Sequence, residues 1–161
     1  LPSWGMSNAT ATLVGQNLGA EKPERAVTST WIATTINVLF LGSIGILIFF
    51  FSEVLMQIFT KDPEIISIGV TTLKVMSFGY VSYGFGMVIV QALNGAGDTM
   101  TPTIINFICF WLIEIPLAYY LALEFGFNET GVVYSIIISE TFLAILGFIV
   151  FKRGKWKEIN I

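Results

Sequence analysis

Long apolar runs are the feature that most constrains how this chain can fold. Between Ile36 and Phe51 only Asn37 and Ser43 carry polar side chains, and three later runs are comparable. A helix at a protein–water boundary shows one apolar stripe, whereas a helix that is apolar all round is deeply buried or crosses a membrane. Runs of roughly 20 apolar residues match the hydrocarbon core of a bilayer. The sequence therefore predicts an all-α integral membrane protein folded as a transmembrane helical bundle.

Composition supports the membrane class and excludes several kinds of chemistry. Charged residues make up 12% of the 161 residues and hydrophobic ones 55%, whereas soluble domains carry roughly 25% charged residues. The chain has no His and one Cys, Cys109. Imidazole metal sites, Ser-His-Asp chemistry, Cys-cluster metal sites and internal disulfides are therefore excluded. The formal net charge of −3 argues against a nucleic-acid partner, and we expect neither an enzyme nor a metal centre.

Five helical segments follow from the apolar runs and their boundaries. The expected spans are about 1–18 (a partial span), 28–51, 74–93, 103–123 and 131–151, followed by a tail over 152–161. The segment 62–64, Asp-Pro-Glu, has the residue types of an N-cap and a first helical turn. Gly95 and Gly97 suit a helix end with positive φ, and Pro102 suits the start of the next helix. Pro116 lies inside a span and predicts a kink.

Basic residues are concentrated on one predicted side of the membrane. Residues 152–157 carry four of the eight Lys and Arg residues, and the segment 20–26 carries two more. Alternation of the spans puts 94–102 on this side, and 52–64, with a single Lys, on the other. Because cytoplasmic loops are enriched in Lys and Arg, we expect a prokaryotic cytoplasmic-membrane protein with its C-terminus in the cytoplasm.

Two carboxylates, Glu114 and Glu140, lie near the middle of apolar spans. An acid at the centre of a membrane helix costs about 3 kcal/mol on insertion scales and usually faces a bundle interior or a wet cavity. One interpretation is a pair that exchanges protons or cations, or that balances the charge of a cationic solute. The other is a pair of protonated acids bonded to Ser or Thr of neighbouring helices, with a structural role.

A helical face on the third span recurs every three or four residues and combines sulfur, aromatic and amide groups: Met76, Tyr80, Tyr83, Met87, Gln91 and Asn94. Such adaptable side chains on one face can line a permissive binding cavity. Plain packing between helices is the alternative interpretation. Asn37, with Thr30 and Thr34 on the second span, could likewise line a binding cavity or pack between helices.

Four groups of residues, in this order, resemble the C-terminal half of transporters of the multidrug and toxic compound extrusion (MATE) family. These are Ala11–Ala20 with Pro23–Ala26, Gln91–Thr99 with Thr101–Pro102, Trp111–Tyr119, and Gly131–Val132 with Arg153–Trp156. The matching residues expected to belong to family motifs are Gly15, Gln16, Gly19, Gly95, Gly97, Asp98, Pro102 and Pro116. Gly15 and Gly19 also form a G-x-x-x-G pattern, which permits close approach of another helix.

The resemblance implies twelve transmembrane helices in two six-helix lobes, with the end of helix 8 and helices 9 to 12 in this chain. It further implies an N-terminal lobe on the same polypeptide. It also implies antiport of cationic, amphipathic drugs against H⁺ or Na⁺, with no cofactor beyond the coupling ion. Some Na⁺-coupled members carry an acid on helix 10, but residues 75–93 contain none. The aspartate of H⁺-coupled members lies on helix 1, which this sequence does not contain, so the coupling ion stays open.

Three other functions remain as alternatives. A lipid-linked oligosaccharide flippase of the same superfamily predicts a cationic cavity for lipid phosphates, and no Lys or Arg stands in mid-span. A non-transporting membrane scaffold subunit would not need central acids. A membrane enzyme without His would have to rely on Glu, and no paired motif supports it.

Overall fold

The computed structural model describes residues 1–158, so the end of the predicted tail 152–161 lies outside the described residues. Five long helices form the chain: α1 (Pro2–Gly19), α2 (Pro23–Phe59), α3 (Pro63–Gly95), α4 (Met100–Glu124) and α5 (Asn128–Arg153). A short 3₁₀ helix, Lys155–Glu158, follows. Helices α2 to α5 are long and apolar enough to cross a membrane. The all-α membrane fold predicted from the apolar runs is confirmed.

Local signals in the sequence set several of the helix ends. Asp62 is the N-cap of α3, and its carboxylate accepts a hydrogen bond from the backbone N–H of Glu64 at 2.9 Å. Gly97, after the end of α3, has φ +82°, whereas Gly95 does not take positive φ and stays helical. Helix α2 continues to Phe59 instead of ending near residue 51. Residues 52–59 contain neither Gly nor Pro, so no residue interrupts the helix there.

Helix α4 is wound unevenly around Pro116. Two π-helical stretches, Phe107–Glu114 and Tyr120–Glu124, flank the α-helical segment Ile115–Tyr119. The backbone N–H of Ile115 bonds to the carbonyl of Phe110, five residues earlier. Proline has no N–H to donate and crowds the preceding turn, and the wider π winding directly precedes it. Such π segments often mark functional positions in helices.

Helix α3 is the centre of the bundle and packs against α1, α2 and α5, while α4 packs mainly on α5. A glycine permits the closest approach of α1 and α3, since a Cβ on Gly95 would lie within 2.6 Å of the Cα of Ala11. A Cβ on Gly15 would lie 3.0 Å from the carbonyl oxygen of Gly95. Gly19 faces open space. The close contact therefore uses Gly15 of the predicted G-x-x-x-G but not Gly19.

The α1–α2 link, the C-terminal end of α3 and the residues after α5 lie together at one end of the bundle. Val14, Ala26, Leu93, Phe151 and Trp156 belong to one buried apolar cluster there. The indole N–H of Trp156 donates to the carbonyl of Phe151 at 2.8 Å, and the two rings stack 4.8 Å apart. The segments that carry most of the basic residues thus share one end of the molecule.

Candidate functional site

A cavity of about 160 Å³ lies between α3 and α5, and we call it the chamber. Its wall is formed by Met76, Gly79, Tyr80, Tyr83, Ile136, Ile137 and Glu140. Three members of the predicted sulfur–aromatic face of α3 therefore meet one of the two predicted acids. The wall combines one carboxyl group, two phenols and a thioether among aliphatic side chains.

Helical periodicity and one glycine contact build the chamber. Met76, Tyr80 and Tyr83 fall on one face of α3 because they are spaced four and three residues apart. A Cβ on Gly79 would lie 2.9 Å from Cγ1 of Ile137, so the two helices come close at this point. Glu140 stands one turn after Ile137 on α5 and is thereby brought to the same cavity.

The hydroxyl groups of Ser139 and Thr141, which flank Glu140 in the sequence, donate to backbone carbonyls. The Ser139 hydroxyl donates to the carbonyl of Cys109 in α4 at 2.8 Å, and both residues are buried. The Thr141 hydroxyl donates to the carbonyl of Ile137 in its own helix at 2.7 Å. Ser139 thus ties α5 to the π-helical part of α4 next to the chamber.

Glu114 lies on the π-helical part of α4 and is partly exposed. Its helix α4 packs on α5, which carries Glu140. Glu114 does not belong to the chamber wall. Of the two predicted acids, Glu140 is the one that meets the sulfur–aromatic face.

Of the remaining members of this sulfur–aromatic face, Met87 and Gln91 contact α1, and Asn94 bonds to Gln91. The Ser3 hydroxyl donates to the sulfur of Met87 at 3.6 Å. Nε2 of Gln91 donates to Oδ1 of Asn8 at 2.9 Å, and Nδ2 of Asn94 donates to Oε1 of Gln91 at 2.8 Å. The face is therefore divided, with its first half lining the chamber and its second half joining two helices.

Asn37 is placed away from the chamber, in the interface of α2 with α3. The side chain is fully buried, and its Nδ2 donates to the carbonyl of Gly84 at 2.9 Å. Within residues 1–158 its Oδ1 has no hydrogen-bond partner. The structure thus gives this amide a packing position between two helices.

The predicted motif residues lie outside the chamber wall, and all except Pro116, which lies within α4, stand near helix ends or at helix contacts. Gly15 and Gly95 form the α1–α3 approach described above, and Gly97 makes the turn. Oδ1 of Asp98 accepts from the backbone N–H of Thr101 at 3.0 Å, at the start of α4. Pro102 is buried, while Gln16, Gly19 and Pro116 are exposed.

Sequence reasoning missed the α5 wall of the chamber other than Glu140. Ile136 and Ile137 precede Glu140 by four and three residues, which is the spacing of one helical face. The same periodicity that identified the face of α3 would have found them. Gly79, a small residue suited to close helix packing, lines the chamber through its close contact with Ile137.

Comparison with known proteins gives a consistent result. A family model described as MatE matches residues 1–120. The probable multidrug resistance protein NorM of Thermotoga maritima is 32% identical over 161 residues, which cover 98% of this chain and 34% of that protein. A probable multidrug resistance protein NorM of Caulobacter vibrioides is 31% identical over 160 residues, covering 96% of this chain and 33% of the relative.

Solved structures share the fold. The eukaryotic MATE transporter AtDTX14 superposes with a TM-score of 0.89 at 20% identity, covering 97% of this chain and 35% of that one. An inward-facing multidrug resistance MATE family transporter gives 0.87 at 21% identity, with coverages of 99% and 38%. An outward-facing one gives 0.88 at 22% identity, with coverages of 98% and 36%. The chain thus spans about a third of the length of the proteins it matches.

Proposed function

Because the chain belongs to the MatE family, which is a family of transporters and not of enzymes, we propose that it is part of a secondary antiporter. The antiporter would export cationic, amphipathic compounds in exchange for H⁺ or Na⁺. The chain would supply about a third of such a protein, and an N-terminal lobe of the same polypeptide would supply the opposite wall of the transport path. Near-equal fits to an inward-facing and an outward-facing structure support movement of these helices as one unit.

The observation that carries the proposal is the position of Glu140 beside Met76, Tyr80 and Tyr83. A carboxylate in a low-dielectric cavity attracts a positive charge strongly. Aromatic faces and a thioether add cation–π and adaptable apolar contacts. Drug-sized ligands need cavities of roughly 300–1,000 Å³, so a chamber of about 160 Å³ accommodates an ion or the charged end of a substrate, with the remainder between the lobes.

Competition for one carboxylate would couple the two fluxes. An H⁺ or Na⁺ bound to Glu140 neutralises the negative charge that attracts a cationic compound. A bound cationic compound in turn weakens the binding of H⁺ or Na⁺ to Glu140. Such an exclusion is reciprocal, since the coupling free energy between two ligands acts equally on both. Glu114, on the helix that packs against α5, would adjust this balance from α4.

The chamber wall also separates this proposal from the flippase alternative. Its wall includes a carboxyl group and contains neither Lys nor Arg among the described residues. An anionic lipid phosphate would be repelled by that carboxylate, whereas a cation is attracted. Basic residues are instead gathered at the end of the bundle that carries the tail. By the positive-inside rule, we propose that this end, with the C-terminus, is cytoplasmic.

Dye efflux from vesicles containing the full-length protein tests the proposal. We expect Glu140→Gln to lower the rate of gradient-driven efflux by about tenfold or more, because a charge-assisted contact worth roughly 1.5–3 kcal/mol is lost. Separate pH and Na⁺ gradients would identify the coupling ion. Glu129→Gln is the matched control, since Glu129 is exposed in the first turn of the same helix.

Two results would contradict the proposal. If Glu140→Gln and Glu114→Gln both leave efflux and its pH dependence unchanged, the two acids are structural. If the unmodified full-length protein moves no cationic dye under either gradient, the antiporter assignment fails and the scaffold alternative stands.

A further inference from the structure

A second cavity lies on the side of α3 opposite the chamber, as a groove between α2 and α5. Its volume is about 450 Å³, and α3 forms its floor. Trp31 of α2, Phe85 of α3 and Phe148 of α5 form an aromatic triangle in it, with ring centroids 6.1 to 6.2 Å apart. We call this the aromatic groove.

The surface of the aromatic groove is apolar even where it contains hydroxyl groups. Ser82 and Thr141 lie in its wall. The Thr141 hydroxyl donates to the carbonyl of Ile137 at 2.7 Å and lies 3.3 Å from the Ser82 hydroxyl. These groups therefore satisfy one another and the helix backbone, and they place no demand for hydrogen bonds on an occupant.

A lysine stands at one end of the aromatic groove, and a similar lysine marks the opposite end of the same face of α3. Nζ of Lys152 lies 5.8 Å from the ring centroid of Phe148. A neighbouring apolar cavity of about 360 Å³ shares Val81 with the groove and includes Phe49. Nζ of Lys74 lies 5.8 Å from the Phe49 centroid.

The two lysines are separated by the thickness of a bilayer's hydrocarbon core. Glycine contacts pair Gly79 with Ile137, Gly86 with Ala144 and Ile89 with Gly147, so each α5 residue lies beside the α3 residue 58 positions earlier. Lys152 is therefore level with residue 94 of α3. Twenty residues separate that level from Lys74, which at 1.5 Å per residue is about 30 Å. A hydrocarbon core has the same thickness, so the two lysines stand at the levels of its two boundaries.

We propose that the aromatic groove binds an acyl chain of an anionic phospholipid whose phosphate is held by Lys152. From Thr141 to Lys152 the groove follows α5 for about 16 Å, which is about half of the hydrocarbon core and thus the depth of one leaflet. Arg153 follows Lys152 and is also exposed. Glu24, an acid on the neighbouring end of α2, is paired with Lys157 at 3.1 Å. The positive charge at the mouth of the groove therefore selects an anionic headgroup.

Quenching of tryptophan fluorescence by brominated lipids tests this proposal, because Trp31 forms part of the groove. The full-length protein is reconstituted in phosphatidylcholine vesicles that contain acyl-brominated phosphatidylglycerol or acyl-brominated phosphatidylcholine. The signal of Trp31 is the difference between the protein and its Trp31→Phe variant. We expect the anionic lipid to quench Trp31 at a roughly fivefold lower mole fraction, the ratio that corresponds to about 1 kcal/mol for one basic residue at a membrane surface.

Three variants make the result specific. Lys152→Gln should abolish the preference for the anionic lipid, whereas Lys74→Gln, at the other end of the face, should leave it unchanged. The signal of Trp111, which is 64% exposed on α4 and is obtained through Trp111→Phe, should show equal quenching by both lipids.

Three outcomes would overturn the proposal. Equal quenching of Trp31 by both lipids would mean that no headgroup is selected. Quenching of Trp111 without quenching of Trp31 would mean that protein fills the groove. Relief of Trp31 quenching by a cationic dye would make the groove a substrate path instead of a lipid site.

Discussion

The two sides of α3 differ in the kind of occupant they suit. Tyr83 and Phe85 are two residues apart and point in nearly opposite directions, because each residue turns a helix by about 100°. Tyr83 faces a chamber of about 160 Å³ that contains a carboxyl group. Phe85 faces an open groove of about 450 Å³ whose wall, among residues 1–158, contains no charged residue. A single helix thus separates a site suited to a cation from a surface suited to lipid.

The cost of burying charge explains this separation. A carboxylate that faced hydrocarbon would cost about 3 kcal/mol or more, so Glu140 is retained only where protein surrounds it. Lys74 and Lys152 escape the same cost because they stand at the two levels where a hydrocarbon core ends, and their long side chains reach toward water there. Along α3 and α5 the negative charge therefore lies on the chamber side, and the positive charges lie on the groove side near the two membrane boundaries.

The largest expected effect comes from disrupting the packing of α1 against α3, on the side of α3 that faces the chamber. We expect Gly95→Ala to lower the free energy of unfolding on the order of 3 kcal/mol, because its Cβ would collide with the backbone of Ala11. Thermal unfolding of the detergent-solubilised full-length protein measures it. Gly19→Ala is the control, since no atom of the described residues lies within 4 Å of its Cβ position. Equal effects of the two changes would refute the role given to Gly95.

Moving a positive charge from one side of α3 to the other tests the comparison directly. Val81→Lys places an ammonium group in the groove at mid-span, and we expect a cost of about 3 kcal/mol. Tyr80→Lys, one residue earlier and at the same depth, places it beside Glu140 and should cost clearly less, because the carboxylate is a partner. Folded yield and thermal unfolding of both variants provide the comparison. A Tyr80→Lys variant no more stable than Val81→Lys would argue against a cation-accepting chamber.

A smaller effect is expected where α5 is tied to α4 beside the chamber. Ser139→Ala removes the hydrogen bond to the carbonyl of Cys109 and should cost about 1 kcal/mol, because a buried acceptor loses its donor. Ser135→Ala is the matched control, since Ser135 is equally buried but donates within its own helix to Val132. Chemical unfolding curves distinguish the two variants, and indistinguishable curves would remove the special role of Ser139.

The smallest effect on stability is expected for the contact between Ser82 and Thr141 in the wall of the aromatic groove. We expect Ser82→Ala to change the free energy of unfolding by no more than about 0.5 kcal/mol, because hydrogen bonds between membrane helices average about 0.6 kcal/mol. Thr141 keeps its bond to Ile137 in this variant. A loss comparable to that of Ser139→Ala would show that the groove depends on a specific polar contact rather than on its shape.

Local features of the fold could be predicted well from the sequence. Asp62 caps α3 as expected, and the apolar runs become membrane-length helices. The sequence predicts the end of α2 too early, near residue 51, because the polar Ser-Glu pair at 52–53 indicates a connection although no residue there breaks a helix. The candidate site was predictable only in part, since periodicity identified a face of α3 but not what each half of it contacts.

The sequence by itself determined the class of molecule: apolar runs long enough for a bilayer, capped ends, basic residues in particular segments and two acids in mid-span. Each of these is decided within one helix, by hydrophobicity and by local backbone hydrogen bonding. The tertiary structure alone decided that Glu140 meets Tyr83, that Asn37 bonds to Gly84 in a different interface, and that Gly15 rather than Gly19 of α1 approaches Gly95. Such pairings depend on the rotation of each helix about its own axis and on the helices it packs against. Close packing between residues that are remote in sequence determines the rotation and the neighbours.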